Sequence, residues 1–399
     1  MSTHSNPPSW WGAPKKFNPN FEERKISWLE LFYDLVYVIA ISRITHMLCG
    51  GLSVANFLWY CSMFALIFWG WVNGSLYHDI HGNDGLRTRL MTLWQMMIIS
   101  AISVTIDHSL DAFSKGTTIT LMVMQLFITY LWWSVGFYDK EHRKYNKPYT
   151  ILFLISFLLM GLNLYLSSEY RPLLIVCILI FNFSPPFIAS RILNRHSLEL
   201  SLSSSMTERL GLFTIILFGE VVLGVVNGVT KIATPDFDSV IESVLSLSIV
   251  FALWWIFFTL ISNRNAKPGF VRATLLEILF LPALIALGFI AASFTLLFDS
   301  TNIERLYWVF CFALSLFPAC ISVMMGLLIY PDEANSILKK VRSSLFVTAL
   351  VFAGLAFVAG MLTPMYFLLV VLLILITEII YLNSLYYINL SASQKEKSN

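Results

Sequence analysis

The residues of this chain that could do chemistry are carboxylates set inside apolar sequence. Ser27-Trp-Leu-Glu-Leu-Phe-Tyr-Asp-Leu-Val-Tyr-Val-Ile-Ala-Ile-Ser42 takes Glu30 and Asp34 into one long apolar run. Thr207-Glu-Arg-Leu-Gly-Leu-Phe-Thr-Ile-Ile-Leu-Phe-Gly-Glu-Val-Val-Leu-Gly224 holds Glu208 and Arg209 at its start and Glu220 well inside. Glu378 interrupts a later run, and Arg43 is the one strong cation deep in such a segment. An ionised acid at the centre of a bilayer costs at least ~2.5 kcal/mol on insertion scales. Such a group needs a counter-charge, a water-filled cavity or a proton, so the chemistry in view is the handling of protons or ions.

Spacing sorts these acids. Glu30 and Asp34 are four apart and share a helical face that Tyr37, Ile41 and Thr45 continue, whereas Arg43 and His46 point elsewhere. Glu30 sits near a helix amino terminus, where negative charge is favourable, and is the more easily hydrated. Asp34 lies about 9 Å deeper than Trp28 at ~1.5 Å per residue. Glu208 and Arg209 read as interfacial charges at a helix start, with Thr207 placed to cap it. Glu220 lies ~15 Å beyond Leu210, with Gly224 and Asn227 on its face and Gly219 beside it. Small residues there let a helix, a water or an ion approach closely. Arg43 reads as the counter-charge to one of these acids, and Glu378 as a further site on a proton, ion or substrate pathway. The opposing reading of every one of them is structural: ion pairs and hydrogen bonds that hold helices together. Gln95, Asn163 and Asn182 read as neutral links between helices.

Other constellations carry less. His78, Asp79, His81 and Asp84 have the types for a divalent metal but match no established ligand spacing, and read as a solvated loop. Asp107, His108 and Asp111 read the same way. There is no Ser/His/Asp order, Walker motif or Gly-rich dinucleotide turn, so no enzyme, cofactor or metal is expected. Five cysteines without paired spacing read as buried thiols.

The elements that must position the acids follow from composition. Of 399 residues, 57% are apolar and 13% charged, with mean hydropathy +0.72. Soluble domains carry about 25% charged residues, so the chain reads as all-α and polytopic, a bundle of about twelve transmembrane helices. The expected runs are Trp28–Leu48, Asn56–Tyr77, Leu90–Ile106, Thr117–Phe137, Thr150–Leu166, Leu173–Ser190, Leu210–Val229, Val244–Ser262, Leu275–Phe298, Leu306–Tyr330, Leu345–Gly360 and Tyr366–Tyr387. The net charge of +2 offers no surface for nucleic acid. The partners expected are the bilayer and a small solute or ion, with the oligomeric state left open.

Lys and Arg are unevenly placed. The arm, alternate loops and tail on the amino-terminal side carry 21 of them and the opposite loops 4. Under the positive-inside rule both termini are cytoplasmic. The runs also repeat: starts at 28 and 210 are 182 apart, those at 150 and 345 are 195 apart, and Phe32-Tyr-Asp34-Leu-Val36 echoes Phe218-Gly-Glu220-Val-Val222. The organisation expected is a cytoplasmic arm 1–26, a six-helix half 27–190, a linker 191–209, a second half 210–387 and a tail 388–399. Two halves of six helices would be parallel repeats.

The Ser27–Ser42 stretch resembles the opening signature of the bacterial low-temperature-requirement A membrane protein family. Glu208-Arg-Leu-Gly-Leu-Phe-Thr-Ile-Ile-Leu-Phe-Gly-Glu220 resembles its second signature, and Asn83-Asp84 with Arg89-Leu90 resembles its loop before the third helix, altered here around His78–Gly82. The resemblance implies a multi-pass inner-membrane protein associated with growth in the cold, with no settled substrate or reaction. It carries over Glu30, Asp34, Glu208, Arg209 and Glu220. The function expected is a proton- or cation-coupled secondary transporter. The alternative is a channel-like or lipid-interacting protein whose acids are purely structural.

Overall fold

The computed structural model describes residues 14–15, 25–83, 85–106, 114–140, 143–193, 202–230, 237–262, 264–298 and 303–398. Its regular elements are helices: α1 Trp28–Leu48, α2 Val54–His81, α3 Leu86–Thr105, α4 Lys115–Tyr138, α5 Arg143–Asn163, α6 Arg171–Phe183, α7 Pro185–Leu193, α8 Ser204–Thr230, α9 Phe237–Leu260, α10 Phe270–Leu297, α11 Ile303–Met324, α12 Asp332–Leu355 and α13 Pro364–Ser398. Short 3-10 turns join some of them, and among the described residues the one β feature is the isolated Ala266–Leu328 bridge. The protein is an all-helical, polytopic bundle.

Every expected apolar run is helical over most of its length, though those ending at Leu166, Ser262, Tyr330 and Gly360 run on past their α-helices, and among the described residues ten segments are long and apolar enough to cross a bilayer. The two runs outside that set belong to α3 and α12. Arg87, Arg89 and Gln95 lower the hydropathy of α3, and Lys339, Lys340 and Arg342 that of α12. The sixth run is split into α6 and α7 at Ser184, because Pro185 and Pro186 donate no N–H and can only begin a new helix. α13 continues to Ser398 through the segment expected as a separate tail. Trp10, Trp11, Phe17 and Phe21, read as surface aromatics of the arm, lie outside the described residues.

The chain forms two compact units. One comprises Met1–Ile44, Leu58–Arg209 and Pro268–Thr274, and the other Thr45–Phe57, Leu210–Lys267 and Leu275–Asn399. In the first, α4 packs on α3 and α5, and α5 on α6 and α7. Its core is aromatic: Trp69 meets Phe153 edge-on, Trp132 stacks on Tyr149, and Gln125 and Asn182 exchange reciprocal amide hydrogen bonds of 3.0 and 3.2 Å between α4 and α6. Asn182 is thus the interhelical link expected of it. In the second unit, α13 packs on α9 and α12, and α11 on α12. Gly224 lets α8 approach α10 closely: a Cβ there would strike the Ala291 carbonyl, and the Thr295 hydroxyl donates to the Gly224 carbonyl at 3.2 Å.

Candidate functional site

Helix α1 starts with a reciprocal cap. The Ser27 backbone N–H donates to Glu30 Oε2 at 2.9 Å, and the Glu30 N–H donates to Ser27 Oγ at 3.3 Å, so each side chain satisfies a backbone donor of the first turn. That cap sets the register in which Glu30, Asp34, Tyr37, Ile41 and Thr45 are all buried and Arg43 and His46 are exposed.

Helix α8 brings the counter-charge. It begins at Ser204 and is capped by Ser203, whose Oγ accepts from the Met206 N–H at 3.0 Å, not by Thr207. The extra turn turns Arg209 inwards, to 1% exposure, and leaves its neighbour Glu208 outside. Arg209 Nη2 donates to Asp34 Oδ1 at 2.5 Å and Nε to Oδ2 at 3.2 Å, a two-point grip across wholly buried groups. Arg209 Nη1 lies 3.6 Å from Glu30 Oε1. Trp71 Nε1 gives Asp34 Oδ1 a further hydrogen bond of 2.7 Å. The guanidinium carbon sits 5.6 Å from the Tyr33 ring centroid and 5.7 Å from that of Trp71, so both rings add cation–π attraction.

A buried polar group of side chains adjoins the ion cluster. Gln95 Nε2 on α3 donates to the Tyr37 hydroxyl at 3.1 Å and to the Gly70 carbonyl at 3.3 Å. The Tyr33 hydroxyl and both Gln95 amide atoms occupy the space that a Cβ on Gly74 would fill. Gly74 therefore makes room for these polar heads, and Gly70, one turn earlier on α2, for the Met124 thioether and the Tyr37 hydroxyl. Gln95 Oε1, the Tyr33 hydroxyl and Arg209 Nη1 are buried and have no hydrogen-bond partner among the described residues.

These positions revise several expectations. Arg43 is exposed and takes part in no ion pair among the described residues, so Arg209 is the counter-charge to the acids of α1. Arg209 is a core residue, not an interfacial one. His78 and His81 are buried within the last turns of α2, which runs on to His81 instead of giving way to a solvated loop. Asp79 accepts from the Ser203 hydroxyl at 2.5 Å and from that of Ser205, tying α2 to the start of α8. Among the described residues there is no group of three metal-ligating side chains. Asp84, Asp107, His108 and Asp111 lie outside them.

Two of the acids expected on the pathway sit in the second unit. Glu220 is half-buried on α8. Glu378 is buried, and its carboxylate accepts from the hydroxyls of Ser344 at 2.8 Å and Thr348 at 2.9 Å, both on α12. The Trp71, Tyr33 and glycine contributions to the α1 site went unread in the sequence. Gly70-x-x-x-Gly74 inside an apolar helix, the spacing of close helix contacts, was the available signal.

A family model described as bacterial low temperature requirement A protein (LtrA) matches residues 25–380. The chain belongs to that family. The matched span takes in the cap of α1, the Asp34–Arg209 cluster, Glu220 and Glu378. No curated protein matches the chain. As a member of the low temperature requirement A family, the protein is a membrane protein of many apolar helices, embedded in a lipid bilayer.

Proposed function

We propose that the protein is a secondary transporter of the inner membrane that moves a small solute or ion in exchange for, or together with, a proton or cation handled by Asp34. Asp34 carries the reading: a carboxylate at 0% exposure in a spanning helix, gripped by one arginine that a second carboxylate can also hold. A proton arriving on Asp34 removes its negative charge and releases the two-point grip. Arg209 stays charged and shifts towards Glu30, already near Nη1. The buried polar atoms of Tyr33 and Gln95 offer hydrogen bonds to water or solute in that state. Glu220, half-buried on α8, is the second candidate for proton handling, and Glu378 for the pathway. We further propose cytoplasmic termini, from the uneven Lys and Arg, and two parallel six-helix halves at 27–190 and 210–387, from the repeat of acid and spacing.

Purified protein in liposomes with an internal pH dye tests the reading, solutes being chosen by a screen on a deletion strain. The parent should give solute-dependent proton movement. Asp34→Asn, folded by size-exclusion profile, should lose it; Glu220→Gln should fold and lose its pH dependence. Folded, fully active variants of both would overturn the proposal. A structural role for the acids is the second reading, favoured by the complete hydrogen bonding of Asp34 and by the two hydroxyls on Glu378. It expects Glu220→Gln to support growth in the cold like the parent, and Asp34→Asn to lose stability without any change in the pH dependence of what activity remains.

A further inference from the structure

In the second unit, α9, α12 and α13 enclose a cavity of about 340 Å³. Leu260, Leu338, Val341 and Leu382 are among its walls, which are mainly apolar, and no acid lines it. Trp255, Tyr386 and Tyr387 form an exposed aromatic rim. Its one charged lining residue is Arg264, just beyond the end of α9.

Two of the cations near Arg264 have fixed duties. Lys267 Nζ donates to the Gly326 carbonyl at 2.8 Å, and Arg342 Nε to the Ser322 carbonyl at 2.8 Å. Arg264 differs. Its guanidinium carbon stands 5.2 Å from the Tyr330 ring centroid, which fixes its position by cation–π attraction. Tyr330 is itself anchored, its hydroxyl donating to the Leu260 carbonyl at 2.7 Å. Arg264 forms no ion pair or hydrogen bond among the described residues, and its Nε is buried without a partner. A guanidinium has five donors in a planar fork matched to phosphate. Here that fork is oriented, desolvated in part and unused.

We propose that this cavity binds an anionic phospholipid, with the phosphate on Arg264 and part of an acyl chain against the apolar walls. The chemistry favours a lipid over free phosphate. A hydrated inorganic ion needs several donors, whereas one cation above apolar walls fits an amphipathic anion. Aromatic rims are the residues of the membrane interface. The charge asymmetry puts Arg264, Lys267, Lys339, Lys340 and Arg342 on the side facing the negatively charged leaflet, where basic pockets between spanning helices take lipid headgroups. The volume falls within the ~300–1,000 Å³ usual for ligand cavities.

The test is native mass spectrometry of the delipidated full-length protein, titrated separately with phosphatidylglycerol, phosphatidylcholine and inorganic phosphate. The parent should retain phosphatidylglycerol in preference to phosphatidylcholine. Arg264→Gln should weaken the tightest phosphatidylglycerol about five- to tenfold and leave phosphatidylcholine unchanged. Leu338→Trp, which fills the cavity and keeps the arginine, should displace the same lipid. Should the glutamine variant misfold, Arg264→Lys keeps the charge without the fork and should fall between it and the parent. Parent-like lipid retention in Arg264→Gln or Leu338→Trp overturns the proposal. So does millimolar phosphate that displaces the lipid and still binds Leu338→Trp, which would make the site one for free phosphate. These readouts count bound lipid, so their failure is separable from that of the transport reading.

Discussion

Removing one partner of a buried ion pair leaves the other charge unpaired and desolvated, at a cost of about 3–5 kcal/mol. Asp34 and Arg209, at 0% and 1% exposure, are in that position. Asp34→Asn and Arg209→Met should each destabilise the protein by about that amount, read as a lowered melting temperature in detergent. The double variant should recover part of the loss, since Glu30, capped by Ser27, is then the one charge left in the cluster, and a strictly additive double variant would refute the coupling. Arg209→Lys should also cost stability. An ammonium cannot reproduce the two-point grip on Oδ1 and Oδ2. Glu378 responds differently. Its partners are neutral hydroxyls, so Glu378→Gln keeps acceptor and donor capacity against Ser344 and Thr348 and should shift the melting temperature much less than Asp34→Asn.

At the scale of the element, helix starts and close approaches decide the site. Ser27→Ala removes one side of the α1 cap and should cost about 1 kcal/mol. Because Glu30 also faces Arg209, its loss should reduce coupling in an Asp34–Arg209 double-mutant cycle as well; an unchanged cycle would separate the cap from the cluster. Gly74 is the tighter constraint. Any Cβ there meets the Tyr33 hydroxyl and the Gln95 amide, so Gly74→Leu should displace both. Gly211, with open space around it, should accept alanine without penalty. Comparing the melting temperatures of Gly74→Leu and Gly211→Ala checks this, and equal effects would contradict it.

For the whole molecule the testable property is topology. Reporter fusions after Asn399 and within 300–304 should mark opposite sides of the membrane, the first cytoplasmic. The motive is the 21 to 4 division of Lys and Arg. Both reporters on one side would refute it. Among the described residues the two arginines buried deepest, Arg87 and Arg209, count among the 21 yet are inside the bundle. Arg87 donates to the Tyr77 hydroxyl at 3.0 Å and to Ser134 Oγ at 2.9 Å. Neutralising these two should therefore lower stability more than it disturbs orientation, since many exposed cations remain on that side.

The sequence by itself determined the helical class, membrane residence, the approximate helix positions and the face on which Glu30 and Asp34 lie. All of these depend on residues within a few turns of one another: hydropathy is a local average, and helical periodicity relates positions three and four apart. Arg43 was the counter-charge expected from the sequence, although nine residues at ~100° each set it roughly opposite Asp34. What no local rule could supply is the identity of the true partner. Arg209 lies 175 residues from Asp34, and its position at the start of an apolar run has the pattern of an interfacial charge. Only the folded chain decided that one more turn of α8, capped by Ser203, would turn it inwards. Only there does Gly74 of α2 leave room for Tyr33 and Gln95 beside it. Pairing between distant segments is set by the packing of the whole, and a buried charge takes whichever counter-charge that packing delivers.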